Sequence, residues 1–311
     1  NAALGIDRHY IGGTKGSHIV LDHPELCQAI GENEFFFENK DGRIVLIFPF
    51  HGRIIVGTTD IPVENADQVR CTDEEIDYFI DLVSHVFPDI RLGREQIVFR
   101  FAGVRPLEYS TAKTTGQISR DHSIHEDSFS NIPVYSLVGG KWTSYRAFSE
   151  QVTDKALGFL GLQRTRDTKK LAIGGGQDYP TDQEAQTRLI ETIARQGKLE
   201  ESHARKLFER YGTRVLTIAG YLAAAPDQLL KSHPDWTRRE VEFIAEHEKV
   251  IHLDDILLRR STLAWLGEAS LQLVQELTGI LAQSLGWDSA QEKVELQRTL
   301  EKLKEEHGVV L

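Results

Sequence analysis

From residue 1 to about 140, apolar positions come in short runs rich in Ile, Val and Phe, broken by glycine, proline and polar turns. This pattern predicts strands over 16–21, 34–38, 43–49, 53–59 and 96–102. The runs RIVLIFP and RIIVGTT, separated by Phe50-His51-Gly52, read as an antiparallel hairpin. One segment breaks the alternation. Ile76, Phe79, Ile80, Val83 and Phe87 follow helical spacing, after Thr72-Asp73-Glu74-Glu75 and before Pro88. A capping box at the start and a proline stop predict a helix over 72–87 that covers one face of the sheet.

Beyond about residue 165 the strand pattern gives way to helical periodicity. A linker-like stretch over 165–180 contains Gly174-Gly175-Gly176. Thr181-x-x-Glu184, Thr237-x-x-Glu240 and Asp288 are helix starts; Gly212, Gly267 and Gly308 are stops. The expected fold is therefore α+β, with a mostly antiparallel sheet and covering helices over 1–165 and an all-α helical domain over 166–311.

The length of 311 residues fits two domains, each with its own core. With 40% hydrophobic and 27% charged residues the composition is that of a globular chain. No run approaches the ~18 apolar residues of a membrane span. A formal net charge of −11 argues against gripping nucleic acid as a main task, so an anionic ligand needs a local cluster of Arg and Lys. Cys27 and Cys71 suit a reducing compartment and build no zinc framework, so no metal site is expected.

Four short segments carry candidate chemistry. Val138-Gly139-Gly140-Lys141-Trp142-Thr143 follows the strand-like PVYSLV and precedes the helix-like RAFSEQVTDKALGFL. A strand, a glycine pair and a helix start leave main-chain N–H groups able to meet an anion, with Lys141 adding a mobile charge. A tight turn with a solvated lysine is the alternative. Arg105 of Gly103-Val104-Arg105-Pro106 lies at a strand end on a stiff backbone, suited to gripping a phosphate or carboxylate, or to a routine ion pair. His18 of Lys15-Gly16-Ser17-His18 could exchange a proton near neutral pH or be a satisfied strand histidine. Ile118-Ser119-Arg120-Asp121 is a polar strand end with room for an ion pair.

In order, KGSHIV, GRIVLIFP, VGTTD, FAGVRPL, ISRD and LVGGKWTSYR closely resemble the FAD-dependent glycerol-3-phosphate dehydrogenase family, over residues 14 to about 157. A looser resemblance runs from LAIGGG through Glu209-Arg210-Tyr211-Gly212 to LDDILLRRSTLAWLG. The resemblance implies oxidation of sn-glycerol 3-phosphate to dihydroxyacetone phosphate, hydride passing from C2 to FAD, and reoxidation by quinone at a membrane surface. It implies that 1–165 binds substrate and that 166–311 is the family's helical C-terminal domain. Arg105 and Lys141 then bind the substrate phosphate, with His18 as the catalytic group at the C2 hydroxyl. Gly139, Gly140, Lys141 and Thr143 lie along the flavin, with a helix running from Thr143. Thr58 and Thr59 serve as structural support. The expected location is cytoplasmic, at the inner face of the cell membrane.

The family opens with a strand, a GxGxxG turn and a helix that hold the ADP part of FAD, and no such run occurs in the sequence. The chain also starts at Asn1 and contains no methionine. The expectation is a C-terminal portion that does not retain FAD by itself. Two alternatives stand beside it: a glycerol-phosphate oxidase using oxygen, and a non-catalytic assembly or membrane-association module, to which Arg259-Arg260 beside apolar residues would contribute.

Overall fold

The structure, a computed structural model, describes residues 2–110, 118, 119 and 121–311. The chain divides into two compact units, Asn1–Leu171 and Ala172–Leu311.

The first unit is built on an antiparallel sheet. Strands β1 (Thr14–Leu21), β2 (Phe35–Glu38), β3 (Ile44–Phe50), β4 (Arg53–Gly57), β5 (Ile61–Pro62) and β6 (Ile97–Arg105) are arranged in the order β2-β3-β4-β1, with β6 on the free side of β1. The short β5 pairs only Thr14 and Lys15. The hairpin falls where the sequence predicts it, but its turn is two residues, since Phe50 pairs with Arg53. His51 and Gly52 have φ of 47° and 77°, the left-handed pair that matches strand twist.

Strand alternation divides the chemistry. Lys15, Ser17, Ile19 and Leu21 of β1 face the covering helix, and Gly16, His18 and Val20 face the other way. The covering helix α2 (Asp73–Val86) carries the full capping box: Thr72 accepts from the Glu75 amide and Glu75 from the Thr72 amide. Its apolar stripe, with Phe79 and Val83 fully buried, closes a core on Ile19, Leu21, Ile47 and Ile54. Phe79→Ala would cost about 3–5 kcal/mol.

A helix α1 (Pro24–Ile30) lies between β1 and β2, and a separate hairpin pairs β7 (Ser123–Phe129) with β8 (Ile132–Val138). Sequence patterning finds β8 and misses β7, whose SIHEDSF is too polar to read as a strand. Ser130 and Asn131, both with positive φ, make the tight turn between them. Helix α3 (Tyr145–Phe159) follows.

The second unit is helical, as patterning predicts: α4 (Gln183–Gly197), α5 (Glu201–Tyr211), α6 (Val215–Ala223), α7 (Arg238–His247), α8 (Leu253–Asp255), α9 (Leu271–Leu285) and α10 (Ser289–His307). Thr237 and Asp288 cap as expected. The α4 cap is Asp182 rather than Thr181, its carboxylate accepting from the Ala185 amide. Gly212 and Gly308 end helices, whereas Gly267 sits in a turn. Among the described residues no helix is long and apolar enough to cross a membrane.

Candidate functional site

The face of the sheet away from α2 carries two of the predicted groups, and glycines make room for both. Along the register of β1 and β6, Gly16 pairs with Gly103, Thr14 with Arg105 and His18 with Phe101. A Cβ on Gly16 would fall 2.2 Å from Arg105 Nη2, so the guanidinium lies flat across the bare main chain. Gly16 lies inside β1, which begins two residues before the predicted 16–21, and only glycine leaves this space.

Three groups of the loop after β4 hold the guanidinium. Arg105 Nη1 donates to the Thr59 carbonyl and to Asp60 Oδ1, each at 3.2 Å, and Nη2 donates to Thr58 Oγ1 at 3.0 Å. The loop is itself anchored from the far face. Thr59 Oγ1 accepts from the Ser17 amide at 2.9 Å and donates to Glu75 Oε1 at 2.6 Å. Glu75 Oε2 accepts from Lys15 Nζ at 2.7 Å and from the Thr72 amide at 2.9 Å. One buried carboxylate therefore caps α2, neutralises Lys15 and fixes the loop that aims Arg105. Burial opposes its charge, but the hydrogen bonds from Lys15 and Thr59 prevail and hold the carboxyl below its ordinary value.

His18 is seated the same way. A Cβ on its β4 partner Gly57 would fall 2.0 Å from the imidazole, and the ring stacks on Phe101 at 4.7 Å with 5° between planes. Burial first, and the charge of Arg105 second, push its pKa down to about 4. The imidazole is neutral at pH 7, and its Nδ1 is buried with no hydrogen-bond partner among the described residues. A neutral ring with an unused nitrogen can accept a proton or a hydrogen bond.

The glycine turn after β8 meets the end of β6: the Gly139 amide donates to the Pro106 carbonyl at 3.0 Å, next in sequence to Arg105. Gly139 and Gly140 have φ of 72° and 91°, and a Cβ on Gly139 would strike the Asp121 carbonyl at 2.4 Å. Lys141 is exposed; its amide donates to Ser144 Oγ, and among the described residues its ammonium has no partner. The helix expected from Thr143 begins two residues later, at Tyr145, because Ser144 Oγ closes a turn back onto Lys141. Thr143 lies exposed in that turn. Of the predicted ISRD segment, Arg120 lies outside the described residues, and Ser119 accepts from the Asp121 amide.

Sequence reasoning brought out Arg105, His18, Lys141 and the glycine pair, and read Thr58 and Thr59 as support. It missed Asp60 and Glu75. Glu75 was legible only as the capping-box glutamate; its second role depends on Lys15 and Thr59, which are 60 and 16 positions away and are brought to it by the sheet.

Residues 2–146 match the model of the FAD dependent oxidoreductase family, and residues 166–292 match that of the C-terminal domain of alpha-glycerophosphate oxidase. The chain is 31% identical over 301 residues to a glycerol-3-phosphate dehydrogenase of Synechocystis, covering 94% of this chain and 53% of that protein. The chain belongs to the FAD-dependent glycerol-3-phosphate dehydrogenase family. Other members of this family are the mitochondrial dehydrogenase SDP6 of Arabidopsis thaliana, 31% identical over 93% of this chain and 47% of that protein, and the aerobic dehydrogenase of Staphylococcus aureus, 30% identical over 95% and 54%. This member spans about half the length of the curated relatives it matches. Its fold is that of the glycerol-3-phosphate dehydrogenase from Bacillus halodurans, solved with FAD, at a TM-score of 0.77 and 22% identity over 94% of this chain and 57% of that one.

FAD is the cofactor of the family, and the glycine turn fits it. Gly139 and Gly140 present main chain without side chains, and α3 begins with no side-chain cap on its first amides, which suits an electron-rich group.

Proposed function

We propose that this chain provides the substrate-binding part, over 1–165, and the helical domain, over 166–311, of a flavoprotein that oxidises sn-glycerol 3-phosphate to dihydroxyacetone phosphate. The observation that carries this is the shared face of Arg105 and His18: a clamped guanidinium and a neutral imidazole, near enough for the one to depress the other's pKa. Arg105 and Lys141 take the phosphate dianion, the first as a fixed fork and the second as a mobile charge. His18 accepts the proton of the C2 hydroxyl. FAD, when bound beside Gly139, Gly140, Lys141 and Thr143, supplies the two-electron acceptor for the hydride leaving C2.

Phosphate binding and proton transfer are linked by charge. A dianion on Arg105 cancels the repulsion which that guanidinium exerts on a protonated His18. Proton affinity at His18 therefore rises when substrate is in place, and the weakly basic free imidazole becomes a better base at the moment of use.

Quinone is the proposed electron acceptor, which puts the reaction at a membrane surface, the inner face of the cell membrane. Oxygen is a second reading, favoured by the match of residues 166–292 to an oxidase domain. Peroxide formation measured against quinone reduction by the holoenzyme separates the two. The 311 residues alone contain no GxGxxG turn, and we expect the purified chain to show no flavin absorbance.

The central test compares glycerol 3-phosphate with glycerol in the FAD holoenzyme. Arg105→Ala should raise KM for the phosphorylated substrate by about 100-fold and leave the slow oxidation of glycerol unchanged. Equal loss on both substrates would remove Arg105 from phosphate recognition.

A further inference from the structure

A second cluster of cations lies in the helical unit, where the proposed reaction makes no use of it. The turn Gly174–Gly176, the C-terminal end of α5, α7 and the π-helical turn Ile256–Arg260 enclose a cavity of about 250 Å³. Arg210, Arg214, Arg259 and Arg260 line it, with Glu248 as the one acidic lining residue. In a chain with a formal charge of −11, four arginines around one small cavity are a local reversal of sign.

The four are not equivalent. Arg210 is committed: it pairs with Glu240, donates to the Asp235 carbonyl at 2.6 Å and packs on Trp236 at 4.0 Å. Arg259 is committed to Asp254 and Asp255, at 3.0 and 2.8 Å. Among the described residues the Arg214 guanidinium makes one ion pair, from Nη1 to Glu248 at 3.0 Å, and 47% of its side chain is exposed. Arg260 donates from Nε and Nη2 to the backbone carbonyl of Glu248, at 2.9 and 2.6 Å, and among the described residues pairs with no carboxylate. A guanidinium has five N–H donors. Arg214 and Arg260 thus keep donors in hand, and Glu248 balances only one of their two charges.

The glycine turn packs directly on the end of α5. A Cβ on Gly175 would fall 2.0 Å from the Tyr211 carbonyl, so the main chain is pressed against the end of α5 with no side chain there. Thr213 Oγ1 fastens it by donating to the Gly175 carbonyl at 2.9 Å. The volume equals that of roughly eight waters, room for a phosphate and a short ester group.

We infer that this cavity is an anion site, distinct from Arg105, that takes a phosphate or small phosphate monoester on the forks of Arg214 and Arg260. The pairing is the planar, charge-assisted one for which arginine is suited. Arg210 and Arg259, held by their carboxylates, add field without moving.

Calorimetric titration of inorganic phosphate into the Arg105→Ala form of the 311-residue chain tests this with the other phosphate group removed. Saturable binding is expected below about 20 mM, weakened at least about tenfold by Arg260→Ala and by Arg214→Gln. Tryptophan fluorescence melts check folding; Arg214→Gln deletes a single exposed contact and serves if Arg260→Ala unfolds. Absence of saturable binding, or unchanged binding in both variants, overturns the site. Phosphatidylcholine vesicles with and without phosphatidic acid identify the source: sedimentation with the acidic vesicles that Arg260→Ala abolishes places the phosphate on a lipid headgroup, and its absence leaves a soluble phosphate.

Discussion

Arg105 crosses its neighbour strand over Gly16, at a point where any side chain would occupy the place of the guanidinium. A glycine in a central strand weakens it and needs a local reason; the register, with Gly16 opposite Gly103, supplies one. Gly16→Ala puts a methyl group where Nη2 lies, and the far end of a flexible side chain yields before a backbone does. The expected outcome is a folded protein whose Arg105 has left Thr58 and Asp60. KM for glycerol 3-phosphate in the holoenzyme should rise about 10- to 100-fold, with kcat and the melting temperature changed far less. A large fall in melting temperature with unaltered KM would refute this account of Gly16.

Glu75 holds Arg105 at second hand, through Thr59. Glu75→Gln keeps the size of the side chain but removes the charge opposite the buried Lys15, a loss on the order of 3 kcal/mol for a buried pair. Stability and substrate binding should then fall together, whereas Asp60→Asn, which weakens the clamp on Arg105 and leaves the buried Glu75–Lys15 pair intact, should raise KM with less loss of stability. Urea melts beside KM measurements on the two variants check the contrast.

What was legible in the sequence follows from how local the information is. The hairpin turn, the capping box at Thr72 and the apolar stripe of α2 are written in adjacent residues, and the structure has them within a residue or two. Asp60 and Thr58 are equally near in sequence, yet their role needs the register of β1 against β6, which brings Arg105 back across some 45 positions. Strand β7 failed for another reason: with little apolar burial, SIHEDSF is held mainly by its ladder with β8, and ladder bonds leave no mark on side-chain pattern.

His18 should leave a signature in the pH dependence of stability. Folded, the imidazole stays neutral down to about pH 4; unfolded, it takes up its proton near pH 6.5. Between these values the unfolded chain binds the extra proton, so stability is lost as pH falls from about 6.5 toward 4, by on the order of 3 kcal/mol in all, and this group contributes no slope above that window. His18→Phe retains a ring against Phe101 and does not titrate. Urea melts at pH 7 and pH 5 should show a smaller difference for the variant than for the parent; equal differences would mean that the ring is protonated in the fold.

In the helical unit, Asp254 is the corresponding single point of failure. It is fully buried at the start of α8, yet it remains charged: burial opposes ionisation, and the hydrogen bonds from Lys302, Arg298 and Arg259 outweigh it and hold the carboxyl well below the usual carboxylate range. Arg259 has Asp255 in reserve and Arg298 has Glu295 at 3.7 Å, but Lys302, 20% exposed, has Asp254 alone among the described residues. Asp254→Asn therefore strands one half-buried ammonium and weakens the tie between α8 and α10, at a cost of about 3 kcal/mol. Because the folded value is depressed, the stabilisation is complete above about pH 4 and disappears as pH falls through the folded pKa. Three of the four tryptophans, Trp236, Trp265 and Trp287, lie in this unit, so fluorescence-detected urea unfolding reports it. The variant should unfold at lower urea at pH 7 and show a flatter acid limb than the parent; parent-like stability at pH 7 would show that the three cations are satisfied without the charge of Asp254.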